Sequence, residues 1–125
     1  PPWSVVTATL TETFDAEVCA DFTTSIHALD DLDTPAVNEV DSALLVGARH
    51  ELLQYDLSKW TDDIQFYSKA TFSRAKSDLE ELGIIVCENV PVDVGRPRER
   101  LTLAEEYTSL SEAELLREVN ALKTH

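Results

Sequence analysis

The feature that most constrains this chain is a change of period at Gly83. Before it, Phe72, Ala75, Leu79 and Leu82 recur at intervals of 3, 4 and 3, the signature of an amphipathic helix. Ser68 stands where an N-cap belongs, and Gly83 where a C′ glycine closes a helix. A helix is therefore predicted over about 69–82. The chain then changes character at once. "IIVCENV" is β-branched, "PVDVGRP" carries the glycine and prolines of a turn, and "RERLTLA" alternates polar with apolar. Residues 84–104 read as a β-hairpin.

The remaining segments read as helical. Thr9 and Glu12 have capping-box spacing, and Phe14, Val18, Phe22, Ile26 and Leu29 follow at helical intervals. One helix over about 10–30 is expected. Thr34 before Pro35 looks like an N-cap with proline at the first helical position, opening a helix over about 35–54. Val37, Val40, Leu44 and Val46 would face inward, with Leu52 and Leu53 at its end. "YDLSKWTDDIQFY" reads as a short helix burying Leu57, Trp60 and Ile64. Ser111 and Glu114 form a second capping-box pair, ahead of a helix over about 112–124 lined by Leu115, Leu116, Val119 and Leu122. The fold class is mainly α with a small antiparallel β-hairpin.

Charge narrows the partners. The 125 residues hold 24 acids against 10 Lys and Arg, a net charge of −14. That balance argues against a generic nucleic-acid or anionic-membrane binder, but leaves room for a local basic site. The acids are dispersed and lysine is scarce, a surface like that of proteins from salt-loving archaea; the other reading is an ordinary acidic bacterial protein. Residues 66–100 hold six basic and six acidic side chains, so the rest of the chain carries the whole excess. Residues 68–77 contain three bases and no acid, whereas Asp78, Glu80 and Glu81 fall in the second half of that helix.

Taken together, "SKATFSRAKSDLEELGII" (68–85) and "VGRPRERLTLAEE" (94–106) resemble the recognition helix and wing of a winged helix-turn-helix domain. The resemblance covers about 36–106, with flanking helices at both ends. It divides the chain into an N-terminal linker and helix (1–33), a winged helix-turn-helix (34–106) and a C-terminal helix (107–125). The physical chemistry agrees. With Phe72, Ala75, Leu79 and Leu82 inside, Lys69, Ser73, Arg74, Lys76 and Ser77 turn to solvent or the flank. The Ser68 cap lies at the positive end of the helix dipole, ready for a phosphate. Ser68, Thr71 and Ser73 can donate short hydrogen bonds, and Arg74 and Lys76 can reach base edges or phosphates. In the wing, Gly95 and Pro97 set a tip that shows Arg96 and Arg98, with Arg100 one strand step on. An arginine there suits the negative potential of a narrow minor groove.

More specifically, Ala48–Glu51, Tyr55–Ser58, Trp60, Ser68–Arg74 and Val90–Arg98 are similar to haloarchaeal winged-helix transcriptional regulators of the TbsP type. These work alongside the sugar-responsive TrmB regulator of gluconeogenesis and glycolysis. The resemblance implies sequence-specific binding of double-stranded promoter DNA and control of metabolic genes. The chain has no methionine and opens "PPWSVV"; it is expected to be a C-terminal fragment, with any small-molecule effector bound elsewhere.

Other readings are bland. A winged helix can instead serve as a protein-interaction module in a larger assembly, although three wing arginines have no purpose there. The apolar faces of 10–30 and 112–124 either form a homodimer interface or pack on their own winged helix. No nucleophile–base motif, phosphate loop or catalytic carboxylate pair is present, so no enzyme and no cofactor are expected. His27 and His50 fall on different helices, and Asp30, Asp31 and Asp33 read as a capping turn, so no metal site is expected either. Cys19 and Cys87, with no CxxC spacing, read as free thiols of a reducing cytoplasm. Trp60 reads as core, and Trp3 as a contact to the missing part. No run approaches the roughly 18 apolar residues of a membrane span.

Overall fold

The computed structural model describes residues 3–124; the side chain of Trp3 and all of His125 lie outside the described residues. Among those described, six helices and one two-stranded antiparallel sheet follow in the order α1 (Trp3–Thr13), α2 (Ala16–Asp30), α3 (Glu39–Arg49), α4 (Gln54–Asp63), α5 (Lys69–Glu81), β1 (Ile85–Val90), β2 (Arg98–Leu103) and α6 (Glu112–Lys123). A short 3₁₀ turn at Glu105–Tyr107 links β2 to α6.

The expected helix over 10–30 is two helices. Asp15 breaks it, in extended backbone, and its carboxylate accepts the Val18 N–H at 3.0 Å. Thr9 caps nothing; its hydroxyl donates back to the carbonyls of Val5 and Val6. An aspartate is the stronger N-cap, and threonine inside a helix turns its hydroxyl onto the preceding turn. The helix expected from Pro35 starts four residues later, at Glu39. Asn38 accepts from the N–H groups of Val40 and Asp41, while Asp41 returns a bond to the Asn38 N–H. This is a capping box written in Asn and Asp rather than Ser and Glu. The Thr34–Ala36 segment is held by α6 instead, through Asn120: its Oδ1 accepts the Ala36 N–H at 2.6 Å.

That helix also ends early, at Arg49. Three successive helices, α3, α4 and α5, close the same way. Leu52 N–H bonds Gly47 O, Phe66 N–H bonds Thr61 O, and Ile84 N–H bonds Leu79 O, at 2.9, 2.9 and 3.0 Å. The residue between sits in the left-handed region: Glu51 and Gln65 at φ 54°, Gly83 at φ 75°. These are Schellman closures, and only the third uses glycine. Leu82, expected inside, is the C-cap of α5 and 37% exposed.

Helix α3 is the centre of the molecule, buried at every position from Val40 to Ala48. A helix buried all round has neighbours on every side. α2, α5, α6 and β2 pack on or beside it, and Leu44, Leu79, Ile84, Leu101, Leu115, Leu116 and Val119 are fully buried in one continuous core. The leucine face of α6 is thus covered within its own chain. Trp60 anchors α4, ringed edge-on by Phe14, Phe22 and Phe66 at about 6 Å, with its Nε1 donating to Thr9 Oγ1 at 3.3 Å. Polar ties bind the outer helices. Arg49 pairs with buried Glu112 and donates to the Leu110 carbonyl, His50 meets Asp21 at 2.6 Å, and Lys123 reaches Asp41 at 3.2 Å.

β1 and β2 pair from Ile85↔Leu103 to Val90↔Arg98. On its other edge, β2 is bridged to Leu53 at Arg100, and the Leu101 N–H donates to Leu52 O. The 52–53 segment therefore stands as a rudimentary third strand just before α4. Residues 91–97 form the exposed tip.

A β-carbon on Gly83 would meet no heavy atom within 4 Å, so Gly83→Ala tests its backbone conformation alone. It should destabilise by about 1 kcal/mol in chemical unfolding, while Gln65→Gly should shift stability the other way by about 0.5 kcal/mol.

Candidate nucleic-acid interface

α5 is aimed by its two ends. Ser68 Oγ accepts the Thr71 N–H at 3.2 Å and lies 2.9 Å from Thr71 Oγ1, so both hydroxyls are engaged in the cap. Phe72, Ala75 and Leu79 bury the inner face. Lys69, Ser73, Arg74 and Ser77 are exposed on the outer one, with the Lys69 side chain 77% open. The helix thus shows an outward stripe of one arginine, two serines and a lysine, with the acids gathered at its C-terminal end.

The wing tip shares a cleft with Lys69 at the start of α5. Gly95, at φ 94°, turns the tip; Arg96 is exposed, and Val94 is 91% exposed. Arg98 is half-buried and lies over the Tyr55 ring, 4.0 Å from its centroid, a cation–π contact that joins the wing to α4. Arg100 is half-buried, on the same face of β2 as Arg98, where β2 meets Leu53.

Of the ten residues expected to form the site, Lys76 is the one whose charge is already taken. Its side chain is 15% exposed, and Nζ lies 2.8 Å from both Gln54 Oε1 and Glu99 Oε2, and 3.7 Å from Glu80. Burial pulls this ammonium down, but the Glu99 hydrogen bond and the surrounding carboxylates raise it more, so it stays charged well above neutral pH. Lys76 ties α4, α5 and β2 together. The same setting affects Cys87, whose thiol is pushed up to about 11, first by burial and then by Glu80 and Glu99 against the opposing Lys76. Cys19 and Cys87 are both free thiols.

Among the described residues, the side chains of Ser73, Arg74 and Ser77 on α5 and of Arg96 on the tip have no hydrogen bond or ion pair. Lys69 is loosely placed, 3.9 Å from Asp62. None of the ten residues expected at the site lies on α4. Its Tyr55, Ser58 and Lys59 line the cleft between α5 and the wing, together with Lys69, Arg96 and Arg98. Helical spacing opposite the buried Leu57 and Trp60 was the available signal.

Three helices stacked through α3, a helix presented by a turn, and a hairpin folded back beside it define a winged helix-turn-helix. Residues 2–120 match the family described as transcriptional regulator TbsP-like, C-terminal helix-turn-helix domain. The chain belongs to that family: it is the helix-turn-helix domain of a TbsP-like transcriptional regulator, a family of regulators and not of enzymes. No curated protein and no solved structure matches it. No described helix is long and apolar enough to cross a membrane.

The Lys76–Glu99 pair should be energetically coupled. A double-mutant cycle with Lys76→Met and Glu99→Gln, read by chemical unfolding, should return about 1 kcal/mol, where a pair free in solvent returns close to none.

Proposed function

We propose that this domain binds double-stranded promoter DNA in a sequence-specific manner, with α5 in the major groove and the wing tip in the adjoining minor groove. One observation carries this reading. In a chain of net charge −14, exposed Lys69 and Arg96 edge one cleft between α4, the start of α5 and the wing, and Arg74 is exposed on the same helix as Lys69. The acidic remainder repels DNA from every other approach, which orients the duplex and suppresses non-specific binding. Ser73, Arg74 and Ser77 read base edges from α5; Arg96 enters the minor groove; Ser68, Lys69, Thr71, Arg98 and Arg100 serve phosphates and the framework. Lys76 acts by holding the wing beside α5.

The regulated genes are proposed to be those of central carbon metabolism, on the strength of the TbsP resemblance, in the cytoplasm of a salt-loving archaeon. A homodimer is proposed because paired half-sites supply most of the discrimination of small DNA readers. Since the α6 leucines are covered in cis, that contact would use another surface. An effector would bind outside this domain.

Gel shifts with promoter fragments in high KCl test the reading. Arg74→Ala should weaken binding about tenfold and relax sequence preference, and Arg96→Glu should weaken it at least as much. Unchanged binding by both variants would leave the domain as a protein-interaction module. Rising salt should weaken binding less than for a basic reader, because it also screens the protein's own carboxylates.

A further inference from the structure

Two clefts of similar size flank α4. One, of about 770 Å³, lies toward α1 and α2 and is edged by Glu12, Asp15, Asp56 and Asp63. The other, of about 720 Å³, lies between α4, the start of α5 and the wing, and is edged by Lys59, Lys69, Arg96 and Arg98. Lys59 stands on the ridge between them. Electrostatics separates their uses: only the second can receive a polyanion.

Its position says which part of one. A duplex that takes a helix in its major groove and a hairpin tip in the next minor groove runs one sugar–phosphate strand between the two. That strand has to pass between α5 and the wing, and the cleft occupies this interval. We propose that the α4–wing cleft is the seat of that DNA strand, and that Lys59, with the hydroxyls of Ser58 and Tyr55, holds its phosphates. The inference rests on the DNA reading above and adds α4 to the interface.

The two carboxylates at the cleft's edge do not oppose this. Glu99 is held by Lys76 at 2.8 Å, and Asp62 faces Lys69 at 3.9 Å. Lys59 has no ion pair among the described residues, and Tyr55 is 50% exposed. Arg98, stacked on Tyr55, keeps its guanidinium edge available while its face is covered. The cleft is therefore positive on balance within a strongly acidic chain.

The test is Lys59→Gln, an exposed position whose replacement should leave the fold intact by circular dichroism. Affinity should fall about fivefold by the same factor for promoter and unrelated duplexes, and the slope of log affinity against log salt should shift by about one. Ser58→Ala should weaken binding in the same uniform way, to a smaller extent. Full affinity in Lys59→Gln, alongside losses in Arg74→Ala and Arg96→Glu, overturns the cleft assignment and leaves the DNA reading standing. Absence of duplex binding by the unaltered domain overturns the DNA reading itself. Titration with inorganic phosphate at constant ionic strength separates the sources of the anion. Saturable shifts of the Ser58 and Lys59 amides with phosphate alone would make this a free-anion site and overturn the backbone assignment.

Discussion

The arrangement of this domain turns on one ammonium group with little access to water. Lys76 sits 2.8 Å from Gln54 and Glu99 and so joins the start of α4, the middle of α5 and the second wing strand at a single atom. A partly buried charge is costly unless its donors are taken up, and here all the acceptors come from elements that must be in register. Displacing the wing would strand Lys76 and Glu99 together. The Arg98–Tyr55 stack adds a second tie on the far side of the same strand. Helix and wing are thereby held as one preorganised surface, which lowers the ordering cost of binding.

That framework explains how an acidic protein keeps a basic face. Of the arginines and lysines near the site, some are consumed in holding it together and others are left free at its rim. Lys69 and Arg96 lie on different elements, and Lys59 on a third; only the packing of α4, α5 and the wing brings them to one cleft. Arg49 and Lys123, by contrast, are bound to acids, as Arg49–Glu112 and Lys123–Asp41. These pairs fasten α6 across α3 rather than offering charge to a partner.

Much of the fold was legible because its signals were local. The 3-4-3 spacing before Gly83, the serine cap at 68, the alternation of "RERLTLA" and the Ser111–Glu114 box each depend on residues within one turn or strand. The misses share a cause. Asp15 and Asn38 compete with Thr9 and Thr34 for the role of cap, and at each start the stronger capping side chain holds it. Glu51 and Gln65 close helices in the left-handed region without glycine, so nothing in their identity announces the stop. Leu82 kept the apolar spacing yet lies past the last buried turn.

What the amino-acid order determined by itself is the sequence of elements from α5 onward, the position of a wing and the concentration of bases around it, since periodicity, capping and charge count need no knowledge of what packs on what. What only the tertiary structure decided is which of those bases are free. Lys76 and Arg74 are two residues apart and alike in the chain, but one points at Glu99 and the other at solvent. Nothing in the residues around Lys59 marks it, and the fold sets it beside the wing. The reason is physical: a side chain's electrostatic role depends on the charges and water within a few ångströms of it, and those are set by contacts between segments far apart in sequence.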